Sequence, residues 1–449
     1  MPAPKKRRTT AASRSAQPRK PRRSPKPPAS PKQTVRRATD RTRSTRGAAP
    51  GAVRTSRSVP RGIPSGFNTP ERGPAAPDTI LVAYAPGERD PGLDDYIRIM
   101  AGHGHEVLEL EVADATPASA RGELRDHPAI RAGAVGGIIL AGRGLRPFTF
   151  SPRLDSGPLP DFSDLPFGSD FPGYDIGPGE RLVAATLAEQ FESNPTGYRQ
   201  AQWVSRIFRF HESFLANLAS TLPPQVNNML IVNADPNSDD PVIQERWRQR
   251  YSLLTLGQNA RYAFRGPDFG AKELLAYLEA HAANTTFLSL TDHGNSTNLE
   301  NLPGLRNGAP RLPALPDVVE LAACATGRWT DDADTPEIKG LAETSLERGA
   351  LAVIAPQCLL AWNFVRGSVG RPAHYDPEAH RNDQEIHNVA PWLDVWPLQG
   401  SLGRAQRFAV NETLGFLRES AYSDKGYLTH HVLCGHSLFG DGTVEFRSL

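Results

Sequence analysis

Two short stretches carry residue types that could do covalent chemistry. "FLSLTDHGNS" (Phe287–Ser296) runs an apolar, β-rich segment into Asp292, His293 and Gly294, and "VVELAACATGRW" (Val318–Trp329) ends another on Ala323 and Cys324 before turning small and polar. A thiol and an imidazole make a nucleophile and its proton-handling partner if they meet in space, whatever their separation in sequence. The thiolate is the reacting form, and a neighbouring imidazole favours it. Gly294 adds a backbone N–H with no side chain in the way, as an oxyanion site requires. Against this stands a bland alternative: an isolated cysteine in an apolar setting is usually a small buried hydrophobe, and a single loop histidine is usually structural or exposed. What favours chemistry is the pairing, each residue closing a strand and each followed at once by small or polar residues.

Such a pair needs a scaffold, and the pattern from Asp78 onward supplies one. "TILVAYA" (Thr79–Ala85) reads as a buried strand, Gly92–Gly102 as a helix, and "HEVLELEV" and "GAVGGIILAG" as two more strands, a parallel βαβ rhythm. Residues 143–180 form a Pro-, Gly-, Phe- and Asp-rich segment with no period, the kind of long loop that is usually functional. Helices are predicted over Glu180–Ser193 and Tyr198–Ser220, and "LPPQVNN" marks a junction. A second set follows: the strand "NMLIVNA", helices near Val242–Leu256 and Ala271–Ala282, the strands ending at His293 and Cys324, a helix over Glu337–Arg348 and the strand "ALAVIAP". Open parallel sheets bind and react at the carboxyl ends of their strands, where both candidate residues fall.

The 449 residues allow two or three domains. Met1–Ala75 carries 20 Lys and Arg against two acids, Asp40 and Glu71, whereas the whole chain is almost balanced at 51 basic and 49 acidic residues. A basic tail therefore precedes an acidic body. The tail is poor in large apolar groups, so it is expected to be disordered, and its charge suits a polyanion or nucleic acid. It equally suits folding back on the acidic body, and it interleaves no aromatic residues for base stacking. The expected organisation is a disordered basic tail over 1–76, an N-terminal α/β subdomain over 77–225 and a C-terminal one over 226–449.

No secretory h-region and no run of about 18 apolar residues is visible, so a soluble, cytoplasmic protein without membrane contact is expected. Cys324, Cys358 and Cys434 are too few and too odd for a disulfide framework, which fits a reducing compartment. His430, His431, Cys434 and His436 in "THHVLCGHS" invite a metal reading, but they alternate sides on a strand, so no metal is expected. His374, His380 and His387 have no ligand-like spacing, and "GRGLRP" lacks the context of a phosphate loop. No cofactor is expected.

A His-Gly after one strand and an Ala-Cys after the next resembles the signature of caspase-like cysteine peptidases. "AACATGRWTDDADTPEIKGLAETSLERGALAVIAPQCLLAW" (Ala322–Trp362) is similar to the gingipain-type branch in its nucleophile, loop, Ala-Glu helix, small-apolar strand and downstream tryptophan. The closing "LGRAQRFAVNETLGFL" and "HSLFGDGTVEFRSL" look like the end of that family. The resemblance covers roughly His293–Leu449. It implies a caspase/gingipain-like three-layer α/β sandwich and a cysteine endopeptidase acting on protein or peptide substrates. It implies that Cys324 attacks the peptide carbonyl, that His293 protonates the leaving amine, and that Gly294 and Cys324 offer N–H groups to the oxyanion. Trp362 would line the pocket for the residue before the cleaved bond. A preference there for Arg or Lys would need a carboxylate, for which Asp331, Asp332 and Asp334 are candidates, although a solvated acidic loop is the commoner role. Asp292 stands where the family commonly has glycine, and Gly442 where it has proline. No upstream acid that would orient His293 can be matched. The readings that compete are an inactive caspase-like interaction module and a nucleic-acid-binding protein acting through its tail.

Overall fold

A computed structural model describes residues 78–150, 161–170, 199–220, 228–234, 259–266, 270–281, 284–302, 315–328, 340–358, 399–419, 433–435 and 437–445, with separate positions at 238–255 and 396. The tail over 1–76, the helix expected over Glu180–Ser193, Trp362, Asp331, Asp332, Asp334, and His374, His380, His387, His430, His431 and His436 lie outside the described residues.

Twelve described strands run in chain order as β1 (Thr79–Tyr84), β2 (Glu106–Glu111), β3 (Val135–Ala141), β4 (Phe148–Phe150), β5 (Asp161–Ser163), β6 (Trp203–Ile207), β7 (Asn228–Asn233), β8 (Asn259–Phe264), β9 (Phe287–Thr291), β10 (Val318–Ala322), β11 (Ala352–Ala355) and β12 (Ser437–Gly440). The helices that matter below are α1 (Leu93–Gly102), α2 (Pro117–Asp126), α3 (Glu212–Ser220), α4 (Ala271–His281), α5 (Leu341–Glu347) and α6 (Leu402–Glu419).

Ten strands form one sheet in the order β2, β1, β3, β6, β12, β11, β10, β9, β7, β8, while β4 and β5 pair as a hairpin apart from it. The pairing is parallel except between β11 and β12, so the two halves of the sheet run in opposite directions on either side of that contact. Strands β7 to β11 thus share one carboxyl-end edge, and the candidate residues lie on it.

Strand β1 shows how the layers arise. Ile80, Val82 and Tyr84 join one apolar cluster with Tyr96 and Met100 of α1 and Phe214 of α3, and Leu81, Ala83 and Ala85 join another with Ala120 and Leu124 of α2. A strand buried on both faces needs apolar residues at every position, which is why "TILVAYA" has lost the alternation of a half-exposed strand. Among the described residues, no helix is long and apolar enough to cross a membrane.

The span read as a helix over Tyr198–Ser220 is a correction. Trp203–Ile207 is a strand with every residue buried, and only Glu212–Ser220 is helical. Burial on both faces erased the strand's period of two, and the apolar period of the following helix extended backwards over it. Strand β8, the hairpin β4–β5 within the long loop, and the closing strand β12 are likewise absent from the sequence reading.

Trp203 shows why position 442 is a glycine. Its indole is fully buried, and a Cβ built on Gly137, Gly403 or Gly442 would come within 1.9, 2.5 or 2.6 Å of it. Three glycines from β3, α6 and the turn after β12 therefore make room for one ring on β6. Gly403 N–H also donates to the Gly442 carbonyl at 2.7 Å, tying α6 to that turn. Gly442→Ala is expected to lower stability by about 1–3 kcal/mol through overpacking, read as a reduced urea midpoint at unchanged slope.

Candidate active site

Strands β9 and β10 are adjacent and parallel, with Phe287 opposite Val318 and Thr291 opposite Ala322. His293 and Cys324 each follow two residues after the paired ends of these strands, so both leave the sheet at the same edge. The link continues past the strand ends, because Asp292 N–H donates to the Ala322 carbonyl at 3.4 Å. Both side chains are half-buried, so each is sheltered yet reachable.

The loop carrying His293 is tightly held. Asp292 is fully buried, and its carboxylate accepts from His293 N–H at 2.7 Å, Asn301 N–H at 2.8 Å and Asn301 Nδ2 at 2.7 Å. Arg265 donates in turn to the Asn301 side-chain oxygen. Burial raises the Asp292 carboxyl above its ordinary range, while the bonds from Asn301 and His293 pull it down. Asp292 thus closes the ten-residue turn from Asp292 to Asn301 and fixes the backbone at His293.

Gly294 forms the non-hydrogen-bonded pair with Leu299 in this turn. The flanking bonds run from Glu300 N–H to the His293 carbonyl at 2.8 Å and from Asn295 N–H to the Asn298 carbonyl at 3.0 Å. In such a pair the central N–H points away from the facing strand. A Cβ on Gly294 would lie 2.8 Å from the Asn298 carbonyl oxygen and 3.2 Å from Ala323 Cβ. Glycine is what lets the His293 loop close against the residue before Cys324.

Cys324 opens a turn that is pinned from three sides. The Thr326 hydroxyl donates to the Leu321 and Ala323 carbonyls, both at 3.0 Å. Ala325 N–H donates to the Cys358 carbonyl at 2.9 Å and Gly327 N–H to the Pro356 carbonyl at 2.8 Å, fastening the turn to the end of β11. Ala325 has φ of 54°, the left-handed region that non-glycine residues seldom occupy. Strain of this kind collects where surrounding structure must hold a side chain in one place.

Sequence reasoning missed two features here. Within β10, Glu320 is buried and accepts from Tyr251 Oη at 2.5 Å and Ser289 Oγ at 2.6 Å. An acid inside "VVELAA" is a visible anomaly that could have signalled a buried polar cluster. Beside the Cys324 turn, Glu343 of α5 pairs with Arg143, whose guanidinium lies 5.1 Å from the Phe208 ring centre, and Arg328 lies 6.0 Å from that of Phe162. Arg328 is shifted down by burial, which the Asp161 charge partly offsets. Among the described residues, no group of three His, Cys, Asp or Glu gathers as metal ligands would.

Two solved structures share this architecture. The Arg-specific cysteine proteinase gingipain R aligns with 84% of this chain and 81% of its own, at a TM-score of 0.50 and 12% identity. A second, described as a protease, aligns with 82% of this chain and 79% of its own, at a TM-score of 0.53 and 14% identity. No protein-family model matches the chain, and no curated protein matches it. At these identities the likeness is one of fold. The chain has a mixed α/β fold of the gingipain and caspase-like type, built on a large, mostly parallel sheet.

Proposed function

We propose that the chain is a cysteine endopeptidase in which Cys324 is the nucleophile and His293 the general acid and base. The observation that supports this reading is that β9 and β10 are adjacent and parallel, so the segments carrying His293 and Cys324 leave the sheet at the same edge. The Cys324 thiolate adds to the peptide carbonyl, and the oxyanion accepts from the N–H groups of Gly294 and Cys324. His293 gives its proton to the leaving amine, then takes one from the water that hydrolyses the thioester. On the resemblance, Trp362 would line the pocket for the residue before the cleaved bond, and Asp331 or Asp332 would supply the carboxylate that a basic residue there needs.

The test is cleavage of a diverse peptide library by the full chain, with Cys324→Ala in parallel. Cleavage by the wild type alone, with Arg or Lys enriched before the cut, is the expected result. Cleavage retained in the variant assigns the activity to another group, and none by either removes the peptidase reading. Cleavage without basic preference removes only the role of the aspartates.

A further inference from the structure

The three cysteines come from segments far apart in sequence, and none is in a disulfide. The fold brings them into a row. Ala325, next to Cys324, bonds through its N–H to the Cys358 carbonyl at 2.9 Å, and Gln357, next to Cys358, bonds through its N–H to the Cys434 carbonyl at 2.8 Å. Each bond brings the two chain segments into direct contact, and the charge of Cys324 is felt at Cys358. Members of the row differ in exposure: Cys324 is half-buried, whereas Cys358 and Cys434 are buried beside Leu433 and Val410.

That difference sets an order of reaction. Burial pushes the thiols of Cys358 and Cys434 well up, and neighbouring charge adds to it, from Asp161 and Cys324 at Cys358 and from Cys358 and Asp161 at Cys434. Buried thiols of this kind resist direct oxidation, so a peroxide meets Cys324 first.

We propose that Cys358 is the resolving thiol for Cys324, so that oxidation closes an internal disulfide between them and blocks the nucleophile reversibly. The Cys324 thiolate takes an oxygen from hydrogen peroxide, giving the sulfenic acid and hydroxide. Cys358 then gives its proton to the sulfenic oxygen and attacks the Cys324 sulfur as the thiolate, so that water leaves and the Cys324–Cys358 bond forms. Two equivalents of an external thiol reduce it again and leave as their own disulfide. Cys434 lies behind Cys358 in the row and is not needed for the step. The inference rests on Cys324 being the reactive thiol, but not on peptide cleavage.

The experiment treats the full chain with hydrogen peroxide, alkylates the remaining thiols, and maps peptides by mass spectrometry without reduction. A parallel sample is given dithiothreitol and then a fluorescent iodoacetamide. In the wild type the expected product is a Cys324–Cys358 cross-linked peptide, with labelling of Cys324 restored by dithiothreitol. Cys434→Ser should behave in the same way. In Cys358→Ser, Cys324 should pass to sulfinic and sulfonic acids, with recovery of labelling on the order of tenfold lower. A cross-link between Cys358 and Cys434, a cross-link between chains, or irreversible oxidation of Cys324 in the wild type would overturn the proposal. So would a Cys324 that peroxide leaves untouched. The readout is mass and labelling, so a protein that cleaves no peptide can still support this inference, and an active peptidase can still refute it.

Discussion

His293→Ala is expected to lower kcat/KM on a cleaved peptide by about a hundredfold to ten-thousandfold, the range a positioned acid–base group contributes. The effect should fall on kcat, because the imidazole exchanges protons only in the reacting complex and adds little to ground-state binding. One observation makes His293 the residue to change: its backbone is fixed by the Asp292 carboxylate on one side and by Glu300 N–H on the other. Alkylation of Cys324 by iodoacetamide near neutral pH should slow in the same variant, since the thiolate loses its partner. Cleavage and alkylation both unchanged in His293→Ala would show that another group handles the proton.

How much of this was legible in the sequence depends on the residue. The strand carrying Cys324 was readable because an apolar run stops abruptly at a small, polar turn, and the parallel sheet because such runs alternate with helical periods. Strand β6 was not readable, since a five-residue strand with every side chain buried shows no period to distinguish it from the amphipathic helix that follows. The single continuous sheet was hidden for a related reason. It depends on β12, four residues near the end of the chain that pair with β11 on one side and β6 on the other. A short buried strand acquires its identity from partners hundreds of residues away. The same holds for the three cysteines: their spacing says only that they form no framework, and their row exists through backbone bonds between distant turns. Asp292 is visible in the sequence, but its partner Asn301 lies nine residues on, and only the closed turn shows why the acid is there.

That turn carries the second large effect. Asp292→Ala is expected to cost about 2–4 kcal/mol, because truncation leaves buried N–H groups of His293 and Asn301 without their acceptor. Asp292→Asn should fall between, since its amide keeps one acceptor oxygen but presents a donor where an N–H already points. The loss should appear in activity as well as stability: the backbone of His293 would be freed in the variant, and misplacement of a catalytic group by about 1 Å is enough for losses on the order of a hundredfold. The dependence on pH has a definite sign. Burial raises the folded carboxyl above its ordinary 3.8, so the folded chain binds this proton more tightly than the unfolded one. The stabilising contribution is then fully present below that ordinary value and declines as pH rises through the raised one. The gap in melting temperature between wild type and Asp292→Ala should therefore narrow as the pH is raised from about 4 to about 7. A gap that widens instead would mean that the three hydrogen bonds outweigh burial and hold the group as a carboxylate. A gap near zero at every pH would mean that the turn is held without this acid.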